Sequence, residues 1–205
     1  MAQQDLADLL AQGGSALGPS LRPPQVAVQI PEPLKPMLMQ KNGFYAFGPA
    51  LFVRPWGANI SGNCLWWNAT DTWRREFAGE GDDLLFFAED IFGFQFAIHP
   101  KGFYQFDPET TDREFMGNDI YEWAGILMGD LEYFTGAPIA ERWQELNGPL
   151  PVGKRLAPPV PFAFGGEFEA EQLGAITDVE LMRFRGDIYM QTKDLPDGAS
   201  IEFEA

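Results

Sequence analysis

Between Leu84 and Phe106 the order of apolar and polar residues is at its most regular. Leu84-Leu85-Phe86-Phe87-Ala88 is a short unbroken apolar run, the pattern of a strand buried on both faces. Phe94, Phe96 and Ile98 then alternate with Gln95 and Ala97, the period-two mark of a half-buried strand. Pro100-Lys101-Gly102 supplies a turn, and Phe103 to Phe106 returns as the next strand. Three consecutive strands with short connections predict an antiparallel meander.

Helical spacing takes over further along. Ile120, Trp123, Ala124, Leu127, Leu131 and Phe134 form one continuous stripe, with Asn118 as its expected N-cap and Asp119 and Glu122 in a favourable first turn. A second helix is expected from Pro138 to Leu146, stopped by Asn147-Gly148. Upstream, Leu34, Met37 and Leu38 mark a short helix ending at Asn42-Gly43. Phe44 to Val53 reads as strand and turn, and residues 65–77 as a helix capped by Thr70, with Trp73 and Phe77 on one face. Asp5 to Gln12 predicts a short helix, and Val26, Val28 and Ile30 an edge strand. Beyond the five prolines of residues 149–165, strands are expected at Val179–Phe184, Ile188–Thr192 and Ile201–Phe203. Arg185-Gly186-Asp187 and Pro196-Asp197-Gly198 are the expected turns between them.

Together these elements predict an α+β fold: a mostly antiparallel central sheet flanked by helices, with an extra C-terminal strand region. Residues 1–30 are expected as an N-terminal arm, 31–148 as the core, and 149–205 as a proline-rich connector with strands docked on that core. A chain of 205 residues is large enough to bury a sizeable core without a disulfide or metal. Its 18 Phe and 6 Trp supply large side chains for one.

Charge narrows the partner. The formal net charge is −16. Residues 1–75 hold six Lys/Arg and four Asp/Glu, while residues 76–205 hold eight and twenty-six. Nucleic-acid binding relies on Lys and Arg to neutralise phosphates, so this chain is poorly made for it. An acidic field attracts cationic partners and speeds their association; plain solubility is the competing explanation. Cys64 is the single cysteine, which precludes an internal disulfide and fits a reducing compartment. Residues 1–10 carry two aspartates and no basic residue, unlike a secretory leader, and no apolar run approaches the ~20 residues of a membrane span. A cytoplasmic protein with no membrane partner is therefore expected.

Residues with chemical potential are few. His99, the only histidine, reads as a turn residue at a strand end, and Cys64 as a structural thiol without a nucleophile signature. No C-x-x-C or H-E-x-x-H spacing occurs. Glu89 and Asp90 are adjacent in a strand and so face opposite ways, which disfavours a shared substrate; Asp90 is expected to cap the amides of residues 91–93. Arg183 and Arg185 are expected on one strand face, in internal ion pairs. Asp107, Glu109, Asp112 and Glu114 place four carboxylates in eight residues, but Pro108 and the lack of glycine do not match a calcium loop. With Glu80, Asp82 and Asp83, they form the expected partner-binding surface. No catalytic residue, metal site or cofactor is expected.

The string Phe86-Phe87-Ala88-Glu89-Asp90-Ile91-Phe92-Gly93-Phe94-Gln95-Phe96-Ala97-Ile98 resembles the central motif of the SUKH superfamily, the Smi/Knr-type domains common among bacterial toxin-immunity proteins. Pro31-Glu32-Pro33-Leu34 through Asn42-Gly43-Phe44-Tyr45 resembles the family's first core helix and its end. Ile120-Tyr121-Glu122-Trp123 resembles the helix after the strands. The resemblance spans roughly residues 30–135 and implies an α+β fold and a non-enzymatic role: binding and neutralising a cognate toxin or effector. The family also includes regulatory and scaffold proteins, so binding an endogenous partner is the alternative. Pro33 and Pro36 within the first helix and the C-terminal extension depart from the family pattern.

Overall fold

In a computed structural model, which describes residues 2–21, 29–57 and 59–196, the central alternation becomes a meander of six strands. They are β1 (Phe44–Ala46), β2 (Leu51–Val53), β3 (Leu85–Asp90), β4 (Gln95–His99), β5 (Gly102–Phe106) and β6 (Arg113–Phe115). Every neighbouring pair is antiparallel, and spatial order equals chain order. Asp90 makes the β3–β4 turn: its Oδ1 accepts from the Phe92 amide at 2.9 Å and the Phe94 amide at 2.8 Å. The predicted cap is present, engaging Phe94 rather than Gly93.

Because strand side chains alternate, the sheet separates two of the three buried apolar clusters. One cluster sets Phe87, Phe96 and Phe103 against Leu6 and Leu9 of α1 (Ala2–Gln12) and Trp123 and Leu127 of α4 (Ile120–Gly129). The other sets Phe86, Ala97 and Phe106 against Trp67, Trp73, Phe77 and Met182. Leu6, Leu9 and Leu10 of α1 are thus part of the main core. The arm also closes one sheet edge: Gly13 bridges Ala46 of β1, and the Gly14 amide donates to the Tyr45 carbonyl at 2.8 Å.

Other elements differ in detail from the sequence expectation. Leu34, Met37 and Leu38 are buried on a 3-10 turn (Glu32–Leu34) and a single helical turn, α2 (Lys35–Leu38). Residues 65–77 do not form one helix. Asn63, not Thr70, caps α3 (Cys64–Trp67), and a separate 3-10 turn holds Arg74–Phe77. Asp119, not Asn118, caps α4; its side chain accepts from the Tyr121 and Glu122 amides. The stripe from Ile120 to Phe134 breaks at Asp130, which leaves helical angles to cap α5 (Leu131–Thr135). Next, α6 (Ala137–Asn147) carries Pro138 in its first turn and stops at Gly148.

The C-terminal region departs furthest. Its strands are β7 (Lys154–Ala157) and β8 (Gly174–Thr177), which pair with each other. The segments expected as two strands, Val179–Phe184 and Ile188–Thr192, lie within one helix, α7 (Asp178–Thr192). Thr177 and Glu180 start it as a capping pair. Gly186 is no turn residue: a Cβ there would meet Phe77 Cε2 at 2.8 Å, so the glycine lets α7 lie directly on that ring. The strand expected at Val26–Ile30 falls largely, and that at Ile201–Phe203 with its turn almost wholly, outside the described residues. Among the described residues no helix is long and apolar enough to cross a membrane.

Candidate functional site

Glu89 is fully buried near the end of the largely apolar strand β3, and a charge there must be paired to remain ionised. The fold brings two arginines to it. Arg155 Nε of β7 donates to Glu89 Oε1 at 2.7 Å. Arg54 Nη2, just past β2, lies 2.9 Å from the same oxygen and 3.1 Å from Asp178 Oδ2 at the start of α7. Gln95 Nε2 donates to Glu89 Oε2 at 2.9 Å, while Gln95 Oε1 accepts from Trp67 Nε1 at 2.8 Å. The Arg54 guanidinium stacks 3.4 Å from the Trp67 ring centroid, a geometry that favours a cation over an aromatic face.

Burial alone would push the Glu89 carboxyl up, but Arg155 and Arg54 hold it below the ordinary value. Asp178 is raised, by its own burial and by the Glu89 charge, against the opposing pull of Arg54. Asp90 is raised well above the usual range, chiefly by burial. Cys64 is also buried, which pushes its thiol up to about 12, far from a reactive thiolate. Its Sγ lies 3.2 Å from the Phe86 carbonyl oxygen.

This cluster fastens the C-terminal region to the meander. A second fastening lies alongside: Arg185 Nε is 2.9 Å from Glu109 Oε1, and Arg185 Nη1 donates to the Phe92 carbonyl at 2.7 Å. Arg185 thus fills the internal ion-pairing role expected of it, from a helix instead of a strand. Arg183 donates to the backbone carbonyls of Thr72 and Asp71 and lies 3.9 Å from Glu76 Oε1, a long ion pair.

The seven carboxylates of the expected partner surface separate into three environments. Glu109 is withdrawn from it: only 7% exposed, it is bound to Arg185 and accepts from the Ala163 amide at 2.8 Å. Its position in a run of acids disguised a core residue whose partner is far away in sequence. Asp82 and Asp83 are partly neutralised by the chain itself. Asp82 lies 3.4 Å from Arg74 Nη2. Asp83 takes two bonds from Arg113, at 2.8 and 2.9 Å, with His99 Nε2 at 3.3 Å. The Arg113 hydrogen bond holds the Asp83 carboxyl below its ordinary value, against the opposing effect of burial. Glu80 is exposed nearby and adds negative charge at Arg113.

Asp107, Asp112 and Glu114 remain. Asp107 shapes its own loop, accepting from the Glu109 amide at 2.7 Å, while its amide donates to the Asp112 carbonyl at 3.0 Å. Glu114 accepts from the Tyr133 hydroxyl at 3.1 Å. That hydroxyl is raised by partial burial, by the Glu114 hydrogen bond, and by the charges of Glu114, Asp107 and Asp130. Tyr133 therefore reports a local negative field. None of Asp107, Asp112, Glu114 and Asp130 makes an ion pair among the described residues. Asp130 joins them only because the helical stripe breaks there.

A cleft of about 650 Å³ lies elsewhere, between the β1–β2 turn and α5–α6, lined by Phe47, Leu131, Glu132, Ala137, Pro138 and Glu141. Glu89, Asp90, His99 and Cys64 do not line it. No cluster of His, Cys, Asp or Glu suited to a metal ion occurs among the described residues.

The molecule is thus an α+β protein with a meander between two helical layers. It is similar to the crystal structure of Atu4351 from Agrobacterium tumefaciens, with a TM-score of 0.58 and 13% sequence identity, covering 87% of this chain and 86% of that one. At this identity the likeness is one of fold. No protein-family model matches the chain, and no curated protein matches it.

Proposed function

We propose that this chain is an immunity-type protein of the cytoplasm. It binds a cognate toxin or effector of basic charge and neutralises it without catalysis. The observation that carries this reading is a group of carboxylates with no ion-pair partner among the described residues: Glu114, Asp107 and Asp130 act on Tyr133 beside β6, and Asp112 is exposed on the loop that leads into that strand. The resemblance of the Phe86–Ile98 motif to the SUKH domains supports a toxin or effector as the partner. Burial of Glu89 and Asp90, the adjacent carboxylates of the central motif, supports a binding role over a catalytic one.

Charge-reversing Asp107, Asp112 and Glu114 to lysine slows capture of the partner if the surface acts by attraction. Glu109 is left out of that set, because Glu109→Lys would break the Arg185 pair and test the fold instead. Co-expression with a candidate toxin separates immunity from the alternative of a regulatory scaffold: survival of the host supports the first, and binding without protection supports the second.

A further inference from the structure

The two edges of the six-stranded sheet are treated differently. The β1 edge is covered by the Gly13–Tyr45 segment pairing described above. On the β6 edge no further strand pairs among the described residues. The Asp107 amide donates to the Asp112 carbonyl, and the Met116 amide to the Phe103 carbonyl. Residues 112, 114 and 116 therefore turn their backbone groups toward β5, and the alternation of an antiparallel ladder leaves those of Arg113 and Phe115 directed outward. An open edge of this kind is a template for another strand.

Its surroundings are not those of a shielded edge. Phe115 is 48% exposed and Tyr133 62%, so two aromatic rings flank the strand. Phe115 is held in place by Tyr104, 5.4 Å between centroids, and by Gly102, where a Cβ would come within 2.7 Å of its ring. Glu114 lies on the opposite face from Arg113 and Phe115, toward Asp107, Asp130 and Tyr133. The Arg113 charge is already taken up by Asp83.

We infer that β6 is the docking edge for an extended, cationic segment of the partner, which adds as a seventh strand with basic side chains toward Glu114, Asp107 and Asp130 and apolar ones toward Phe115. This rests on the proposed function and specifies how its surface is used. A second copy of this chain fits the edge poorly. Antiparallel pairing centred on Glu114 sets two glutamates face to face, centring on Arg113 sets two arginines together, and each copy carries a net −16.

The probe is a short synthetic peptide of alternating lysine and valine, compared with the same peptide N-methylated at every backbone amide. The methylated form keeps the charges and loses its strand donors. Binding weaker by roughly tenfold or more for the methylated form is expected, with the Arg113 and Phe115 amides gaining protection from hydrogen exchange when the unmethylated peptide binds. Phe115→Pro, which removes one outward amide at a position where an edge strand tolerates proline, should lose more binding than Phe115→Ala. An unchanged thermal midpoint shows that both are folded; the wild-type exchange result stands whether or not they are. Equal, salt-sensitive binding of both peptides without protection at residues 113 and 115 overturns the strand mode while leaving the acidic-surface reading standing. No binding of the unmethylated peptide overturns the strand mode as well. Protection of the two amides by dimerisation of the chain alone makes the occupant a second copy and also overturns it.

Discussion

Replacing Glu89 with glutamine tests the buried charge cluster directly. Glu89, Arg54 and Arg155 are all no more than 1% exposed, and both guanidinium groups lie within 2.9 Å of Glu89 Oε1. In the wild type, two cations face two anions, Glu89 and Asp178. Glu89→Gln leaves two buried guanidinium groups against Asp178 alone, an arrangement that cannot be relieved by solvent. Removing one partner of a buried pair costs about 3–5 kcal/mol, against a total of about 5–15 kcal/mol for a domain. With a urea slope of roughly 2 kcal/mol/M, the unfolding midpoint at neutral pH should fall by about 1.5–2.5 M. Because Arg54 still balances Asp178, the pair Glu89→Leu with Arg155→Met should lie closer to wild type than Glu89→Gln alone. A loss below about 1 kcal/mol for Glu89→Gln, the size of an exposed pair, would mean that the cluster does not act as a buried charge network. The pH dependence has a definite sign. Glu89 is depressed in the fold, so its contribution is present above the unfolded carboxylate pKa and is lost as pH falls through the lower folded value. The glutamine variant lacks that part of the acid sensitivity.

Two further outcomes follow from neighbouring positions. Asp90 is raised in the fold, so its contribution is fully present below the unfolded pKa and lost as pH rises through the folded one. Asp90→Asn mimics the protonated acid and keeps an acceptor for the Phe92 and Phe94 amides; it should match or exceed wild-type stability at neutral pH and flatten the pH profile above the ordinary aspartate range, whereas Asp90→Ala should lose about 1–2 kcal/mol with the cap, as read by urea unfolding. Gly186→Ala, favourable by helix propensity alone, should destabilise by roughly 1–3 kcal/mol in the same assay because its Cβ meets the Phe77 ring; a stabilised variant would contradict the packing of α7.

The meander was legible because its strands follow the simplest rule: side chains alternate, turns are short, and Asp90 stands where the turn needs an acceptor. The C-terminal helix was not, since Val179, Leu181, Met182 and Phe184 also satisfy a strand pattern, and Gly186 has the look of a turn residue. The Thr177–Glu180 capping pair was the local signal that favoured a helix. The burial of Glu109 and the gathering of Arg54, Arg155 and Asp178 around Glu89 depend on contacts between residues far apart in the chain. A charged residue inside an apolar strand implies a buried cation, but not which one. The acidic surface was legible as a composition and only in part as a place, because pairing within the chain removes Glu109 and partly neutralises Asp82 and Asp83, while Asp130 enters from a helix break.

The central claim is that a basic partner is drawn to the unpaired carboxylates beside β6. Its most direct measurement is the association rate of a captured toxin or effector with the wild-type chain and with the Asp107→Lys, Asp112→Lys, Glu114→Lys variant, at low and high salt. Attraction to these carboxylates gives a wild-type rate that falls steeply with salt and a variant rate that is slower at low salt and nearly indifferent to it. Equal rates for the two proteins, unaffected by salt, would contradict it.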